Sequence, residues 1–265
     1  MSANEPGQPL PDTAPYAAPY DRARTPSIDL PTPTVALAVG AHPDDVEFGC
    51  GGTLAKWATD GCVVHYVVCT DGSKGTWDAD ADTAALAVRR EAEQREAARR
   101  LARDRAGEVR FLRAVDGELE ATVAPRREIA RAIRELRPEV VLGHDPWKRY
   151  RLHPDHRAAG LLACDAVVAA RDPHFFADLG VPHHRPSHLL LWEADEPDHV
   201  EDTSSSIERK LDALAAHESQ FESTMHALDE AELDAFSERI RGRLAGLGEP
   251  YGLRAAELFK RISDL

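Results

Sequence analysis

The chain has 265 residues, 43% of them hydrophobic, enough for a sizeable core in one α/β domain. Its 32 Lys and Arg against 46 Asp and Glu leave a formal charge of −14, which repels phosphate backbones and excludes a general nucleic-acid binder. The four cysteines, Cys50, Cys62, Cys69 and Cys164, lack C-x-x-C spacing, and no apolar run reaches the roughly 18 residues of a membrane span. That usage fits a reducing cytoplasm without membrane insertion.

Residues 1–33 hold eight of the 18 prolines among small and polar residues, lack a signal-peptide pattern, and read as an extended tail before a domain at 34–265. Tyr16, Tyr20, Ile28 and Leu30 are its available anchors. Strand-length apolar runs follow at 35–39, 62–69, 108–112, 139–143 and 188–192, with helical periodicity at 51–59, 83–104, 122–137 and 154–170. Segments 204–221, 229–246 and 253–262 also read as helices and give a helical C-terminal extension. Alternating strands and helices predict a mostly parallel sheet covered on both faces. Ligands in such sheets bind beyond the carboxyl ends of the strands, where the strand order reverses, here between the first and fourth runs.

Two clusters of hard-to-bury groups fall at those places. His42-Pro43-Asp44-Asp45 directly follows the first run, and His153-Pro154-Asp155-His156 lies about ten residues beyond the fourth. A catalytic zinc takes three His or carboxylate ligands and keeps one position open, and His42, Asp45 and His156 supply that set. The same donors would suit Fe(II) in a facial triad. Asp44 and His153 are then left to act on water and substrate, a division that favours hydrolysis.

Other polar residues carry less. Cys50, within Gly49-Cys50-Gly51-Gly52, reads as a small filler at a close helix packing. His144 and Asp145 end the fourth run and read as loop-shaping or supporting groups. His183, His184, His188 and His199 lack metal spacing and read as surface residues. The segment containing Lys210, Ala213, His217, Ser219 and Gln220 reads as one wall of a pocket. Trp147-Lys148-Arg149-Tyr150-Arg151 is a basic insert in an acidic chain, either a solvated loop or a guide for an anionic substrate group.

The stretch from His42 to Ala55, with its Gly51-Gly52-Thr53 extension, and His153-Pro154-Asp155-His156 resemble the two signature motifs of the LmbE-like, or PIG-L, zinc-dependent N-deacetylases. Thr70 to Thr76, Arg90-x-x-Glu93-Gln94-x-x-Ala97-Ala98, Phe111-Leu112 and Asp116-Gly117 are similar to further family pieces. The resemblance runs from about Val35 to Gln220. It implies a Rossmann-like three-layer fold and removal of an acetyl group from an N-acetylglucosaminide, with the aglycone left open among a thiol-cofactor precursor, a chitin fragment and an antibiotic intermediate and the resemblance tilting toward a bacterial thiol pathway or secondary metabolite. By position it implies His42, Asp45 and His156 as zinc ligands and Asp44 as general base. It implies His153 as the imidazolium beside the oxyanion, Asp155 as the carboxylate holding it charged, and Arg90 and Asp116 as sugar contacts. Where some members carry a Tyr before the second motif this chain has Arg151, preceded by Tyr150, so either is a candidate for that oxyanion or substrate contact. Family relatives often assemble, which leaves a homo-oligomer open. The alternatives are an Fe(II) enzyme on the same ligands and a non-catalytic sugar-binding protein.

Overall fold

The computed structural model describes residues 25–265. Chain order begins with a two-residue strand, β1 (Ser27–Ile28), then β2 (Val35–Gly40), helix α1 (Asp45–Thr59), β3 (Val63–Thr70), α2 (Thr83–Ala102), β4 (Ala106–Ala114) and α3 (Val123–Leu136). It continues through β5 (Val140–His144), α4 (Pro154–Arg171), β6 (His188–Trp192), β7 (His199–Asp202), α5 (Ile207–Leu214), α6 (Glu230–Gly248) and β8 (Ala256–Ile262). Among the described residues these strands form a single sheet in the order β1-β7-β8-β6-β5-β2-β3-β4.

The Val-rich runs form the parallel centre because successive side chains enter opposite layers, and both layers are apolar. On one side Ala38, Tyr66, Leu142 and Leu190 meet Leu54 and Trp57 of α1 and Leu101 of α2. On the other, Leu37, Val39, Val67 and Val141 meet Ile129 and Ile133 of α3 and Leu162 and Ala166 of α4. Strand β2 pairs in parallel with β3 on one side and β5 on the other, so the expected reversal of strand order lies between β2 and β5. No helix among the described residues is long and apolar enough to cross a membrane.

The expected C-terminal helix at 253–262 is instead strand β8, inserted antiparallel between β6 and β7. A short segment mixing apolar and charged residues is ambiguous between helical and strand periods. Pairing decides it here, since β8 satisfies the backbone groups of two strands at once and buries Phe259 completely. The expected helix 204–221 is also broken. Only 207–214 is α-helical, and a turn at Glu218–Gln220 follows, held by Ser219, whose N–H and Oγ donate to the Glu93 carboxylate at 2.9 and 2.5 Å.

Helix α1 starts at Asp45, six residues before the sequence pattern places it, and is interrupted at the fully buried Cys50 (φ −145°, ψ 17°). Beyond the break, Glu257 of β8 accepts from the backbone N–H groups of Gly52 (2.9 Å) and Thr53 (2.8 Å) and from Lys210 Nζ (2.6 Å). A remote carboxylate thus satisfies helix donors that have no partner within the helix. At Gly49 an added Cβ would lie 2.6 Å from the Trp192 indole, which is the close packing the glycine-rich stretch foretells.

Tyr16 and Tyr20 of the expected tail lie outside the described residues. Of the other anchors, Leu30 is buried and donates its N–H to Glu201 Oε1 at 2.9 Å, whereas Ile28 is half exposed. His199, expected at the surface, is completely buried between Ser27 Oγ (2.8 Å) and Glu201 (2.8 Å). The short, polar β7 hid that burial from a pattern-based reading.

Candidate active site at the strand switch point

Strand β2 ends where the carbonyl of Ala41 accepts from both the backbone N–H and the hydroxyl of Thr70. The chain then turns through His42-Pro43-Asp44 into α1, and His42 N–H donates to Asp45 Oδ2 at 2.7 Å. Asp44 sits at the helix N-cap with φ 102°, ψ −28°, yet its side chain makes no capping bond. A non-glycine residue held at positive φ costs on the order of 1–3 kcal/mol and tends to mark a functional site. The freed carboxylate faces a cavity of 520 Å³ lined by both His-Asp clusters.

The second cluster enters from α4. Its N-cap is His153 and its first helical residue Pro154, whose missing N–H would have no partner there in any case. His156 Nε2 lies 3.2 Å from Asp45 Oδ1, and the rings of His42 and His156 are 5.1 Å apart, so His42, Asp45 and His156 converge across the crevice. His153 lies 4.6 Å from His42, ring to ring, at the exposed rim.

The donor chemistry fits a cation. His42 Nε2 faces two acceptors, Asp155 Oδ2 at 3.1 Å and Asp116 Oδ1 at 3.2 Å, so the ring proton belongs there in the neutral form. Nδ1 then turns its lone pair toward Asp45 Oδ2, 3.2 Å away, and two electron-rich atoms so close call for positive charge. Burial opposes charging His42, but hydrogen bonds to Asp116, Asp155 and Asp45 outweigh it and push its pKa up to about 12. A bound metal ion supplies the charge that a proton otherwise brings. Among the described residues three overlapping donor groups form, His42/His153/His156, Asp45/His144/His156 and His42/Asp116/Asp155, and His42 and His156 each belong to two of them.

Two carboxylates with adjoining positions have opposite environments. Burial works against the charge on Asp45, but His156 and His144 hold its pKa well below the carboxylate range. For Asp44 burial dominates, Arg90 only partly offsets it, and its pKa rises to about 6. Arg90 Nη2 reaches Asp44 Oδ2 (3.3 Å) and the carbonyl of Pro43 (2.5 Å), while its Nη1 donates to Gly72 O. An added Cβ at Gly75 would lie 2.3 Å from Arg90 Nη1, so only glycine leaves that room.

Asp155 departs from the expected role. Its carboxylate accepts from His42 Nε2, Gly117 N–H (2.6 Å) and Leu119 N–H (3.2 Å), and only its backbone N–H approaches His153 Nδ1 (3.3 Å). Its carboxylate therefore fixes the tautomer of His42 by contact, and favours the charged form of His153 only through space. Burial, followed by the nearby His42 and His156, lowers the pKa of His153. Arg90 and Asp116 line the cavity, but Arg151 does not. Arg151 is buried behind it, with Nη1 3.2 Å from His144 Nδ1 and 3.0 Å from Glu193 Oε2. Tyr150 points into solvent, 93% exposed.

His144 makes more of the site than its place at a strand end suggests. Trp192 Nε1–H donates to its Nδ1 at 3.0 Å, so its Nε2 carries the proton toward Asp45 Oδ2 at 3.2 Å. Lys74, from the Thr70–Thr76 piece, lines the cavity, and Trp192, Glu193, Thr224 and Arg243 line it without having been singled out. They come from separate segments, and no local spacing announces them. Gln220, in the segment read as a pocket wall, does line it.

This sheet with a two-cluster polar crevice defines a class of metal-compatible α/β hydrolase-type site, and comparison narrows it. Residues 37–167 match the PIG-L family, described as GlcNAc-PI de-N-acetylase, and the chain belongs to that family. A diacetylchitobiose deacetylase of Thermococcus kodakarensis is 37% identical over 82% of this chain and 81% of its own length. A 1D-myo-inositol 2-acetamido-2-deoxy-alpha-D-glucopyranoside deacetylase of Saccharopolyspora erythraea is 34% identical over 59% of this chain; the match spans 64% of that relative. Among solved structures, the N,N'-diacetylchitobiose deacetylase of Pyrococcus horikoshii in complex with an inhibitor superposes with a TM-score of 0.77 at 31% identity, covering 87% of this chain and 84% of that one.

Proposed function

We propose that this protein is a zinc-dependent hydrolase that removes the N-acetyl group from a small N-acetylglucosamine-containing molecule. The observation that carries the reading is the strained, buried Asp44 facing the same cavity as His42, Asp45 and His156. Two His and one carboxylate form the donor set of a catalytic zinc. Zinc held by these three residues would polarise the amide carbonyl and lower the pKa of a bound water to about 7.

The chain's own groups do the rest. Asp44, with a pKa near neutrality, takes the proton of the attacking water. Attack on the acetamide carbon forms the tetrahedral adduct, and the C–N bond then breaks to give acetate. The amine leaves protonated, with its proton returned from Asp44 or from His153 at the rim. Arg90 keeps the Asp44 carboxylate aimed into the cavity, and Asp116, whose Oδ2 accepts from Lys74 N–H at 3.1 Å, stands at the wall where a sugar hydroxyl would lie. Asp155 and His144 orient His42 and Asp45.

The named activities of the relatives supply two members of the substrate panel, N,N'-diacetylchitobiose and the N-acetylglucosaminyl inositol, and free N-acetylglucosamine is added as the minimal sugar. Primary-amine release by zinc-loaded protein, with His42→Ala as the blank, tests the reading and ranks the substrates. Release that requires His42 is the expected result. Stoichiometric zinc with no release from any member overturns the glucosaminide assignment, and activity restored by Fe(II) alone overturns zinc.

A further inference from the structure

Three buried polar side chains outside the cavity take no part in that chemistry. Glu47, Gln94 and His217 are each completely or almost completely enclosed, and none lines the cavity. They form a single file ending at the backbone of Asp44. The N–H of Asp44 donates to Gln94 Oε1 at 2.9 Å, Gln94 Nε2 donates to Glu47 Oε1 at 2.9 Å, and His217 Nε2 faces Glu47 Oε2 at 3.3 Å.

The direction of every link is forced. A backbone N–H can only donate, so Gln94 presents its oxygen to Asp44 and its NH₂ to Glu47. A carboxylate can only accept, so His217 carries its proton on Nε2. Leucine at 94 would leave both the Asp44 N–H and the Glu47 Oε1 atom buried without partners, and glutamate there would set two carboxylates face to face. Glutamine alone among side chains of this size bridges a donor and a carboxylate.

The position of the file matters because Asp44 holds φ 102°. Gln94 lies one helical turn beyond Arg90 on α2, and the two grip the same residue at different atoms. Arg90 holds the Pro43 carbonyl and the Asp44 carboxylate, while Gln94 holds the Asp44 amide. Resting on the assignment of Asp44 as the base, we infer that Gln94 is a positioning residue for it, with the Glu47–His217 pair behind fixing the orientation of the Gln94 amide. Gln94 touches neither substrate nor metal.

The test exchanges donor and acceptor between positions 94 and 47 in the zinc-loaded full chain. Gln94→Glu is expected to lower kcat by about 10²-fold, the scale of a small misplacement of a reacting group, with KM and zinc content unchanged. Glu47→Gln alone has a smaller effect. The double variant Gln94→Glu/Glu47→Gln restores most of the activity, because the carboxylate now at position 94 still accepts from the Asp44 amide and the new carboxamide at position 47 donates to that carboxylate. Hydrogen exchange at the Asp44 amide follows the same order, faster in Gln94→Leu and protected again in the double variant.

Wild-type kcat in Gln94→Glu, or unchanged protection of the Asp44 amide in Gln94→Leu, overturns the inference. So does a double variant as impaired as the single one, which would mark 94 as a packing position only. A wild-type protein that releases no amine overturns the deacetylase reading instead, and the exchange measurement then decides the role of Gln94 by itself.

Discussion

His42, Asp44 and Asp45 are each less than a tenth exposed and are gripped from α2, β5, α4 and, through Asp116, the loop after β4, whereas His153 stands exposed at the N-cap of α4 and His156 is only partly covered. The first cluster carries a strained backbone and a carboxylate whose pKa reaches about 6. The second presents its two imidazoles, nearly parallel and 4.7 Å apart, from the start of an ordinary helix. The contrast teaches a division of labour in one crevice. On the proposed mechanism, precision of geometry is concentrated where a proton must be taken, and accessibility where a substrate must arrive and a product leave.

The most severe break is loss of a shared anchor. Asp45 meets groups from both sides of the crevice, and Asp45→Ala should abolish metal retention and reduce amine release to that of the metal-free protein, as metal analysis and the coupled assay would show. Next comes Asp44→Asn, which should leave metal content intact while kcat falls by about 10²–10⁴-fold, the usual contribution of a positioned base. Full turnover in that variant would remove Asp44 from the mechanism.

Asp155→Asn should be milder. Because Asp155 holds His42 Nε2, the variant should bind metal about 10- to 100-fold more weakly, with activity recovered at excess metal. Metal titration followed by assay distinguishes this from the role beside His153, in which extra metal would restore nothing. The smallest effect is one of pH. Asp44 must be ionised to accept a proton, and a pKa raised to about 6 means that activity is full above that value and lost as pH falls through it. A nearby cation favours the carboxylate, so the acid limb of kcat/KM in the metal-loaded enzyme should lie at about pH 6 or below, and should vanish from the residual rate of Asp44→Asn.

Much of this was legible in the chain because His and Asp set directly after an apolar run are costly to bury unless they serve a site. The central runs at 35–39, 62–69, 139–143 and 188–192 became β2, β3, β5 and β6 within a residue at either end. What escaped was structure decided by partners far along the chain. Strand β8 carries Glu257, Lys260 and Arg261 and reads as helix until both of its neighbours are known. His199 and the Glu47–Gln94–His217 file are polar residues that burial should forbid, and only mutual hydrogen bonding permits them there. Asp155 was singled out by its motif, yet its direction depended on where Gly117 and Leu119 place their N–H groups. Arg151 was singled out by its charge, and its burial behind His144 was not legible in a loop.

Strand β8 also has a meaning in time. It follows in synthesis order every strand that it joins, yet it separates β6 from β7 and brings Glu257 to the broken helix that begins at Asp45. Until β8 emerges from the ribosome, β7 and β1 have no route to the rest of the sheet, and the inner half of α1 lacks its carboxylate partner. A nascent chain halted before Ala256 can gather the parallel centre but lacks the strand that joins β7 and β1 to it, so the sheet closes and the broken helix gains its carboxylate in one late step.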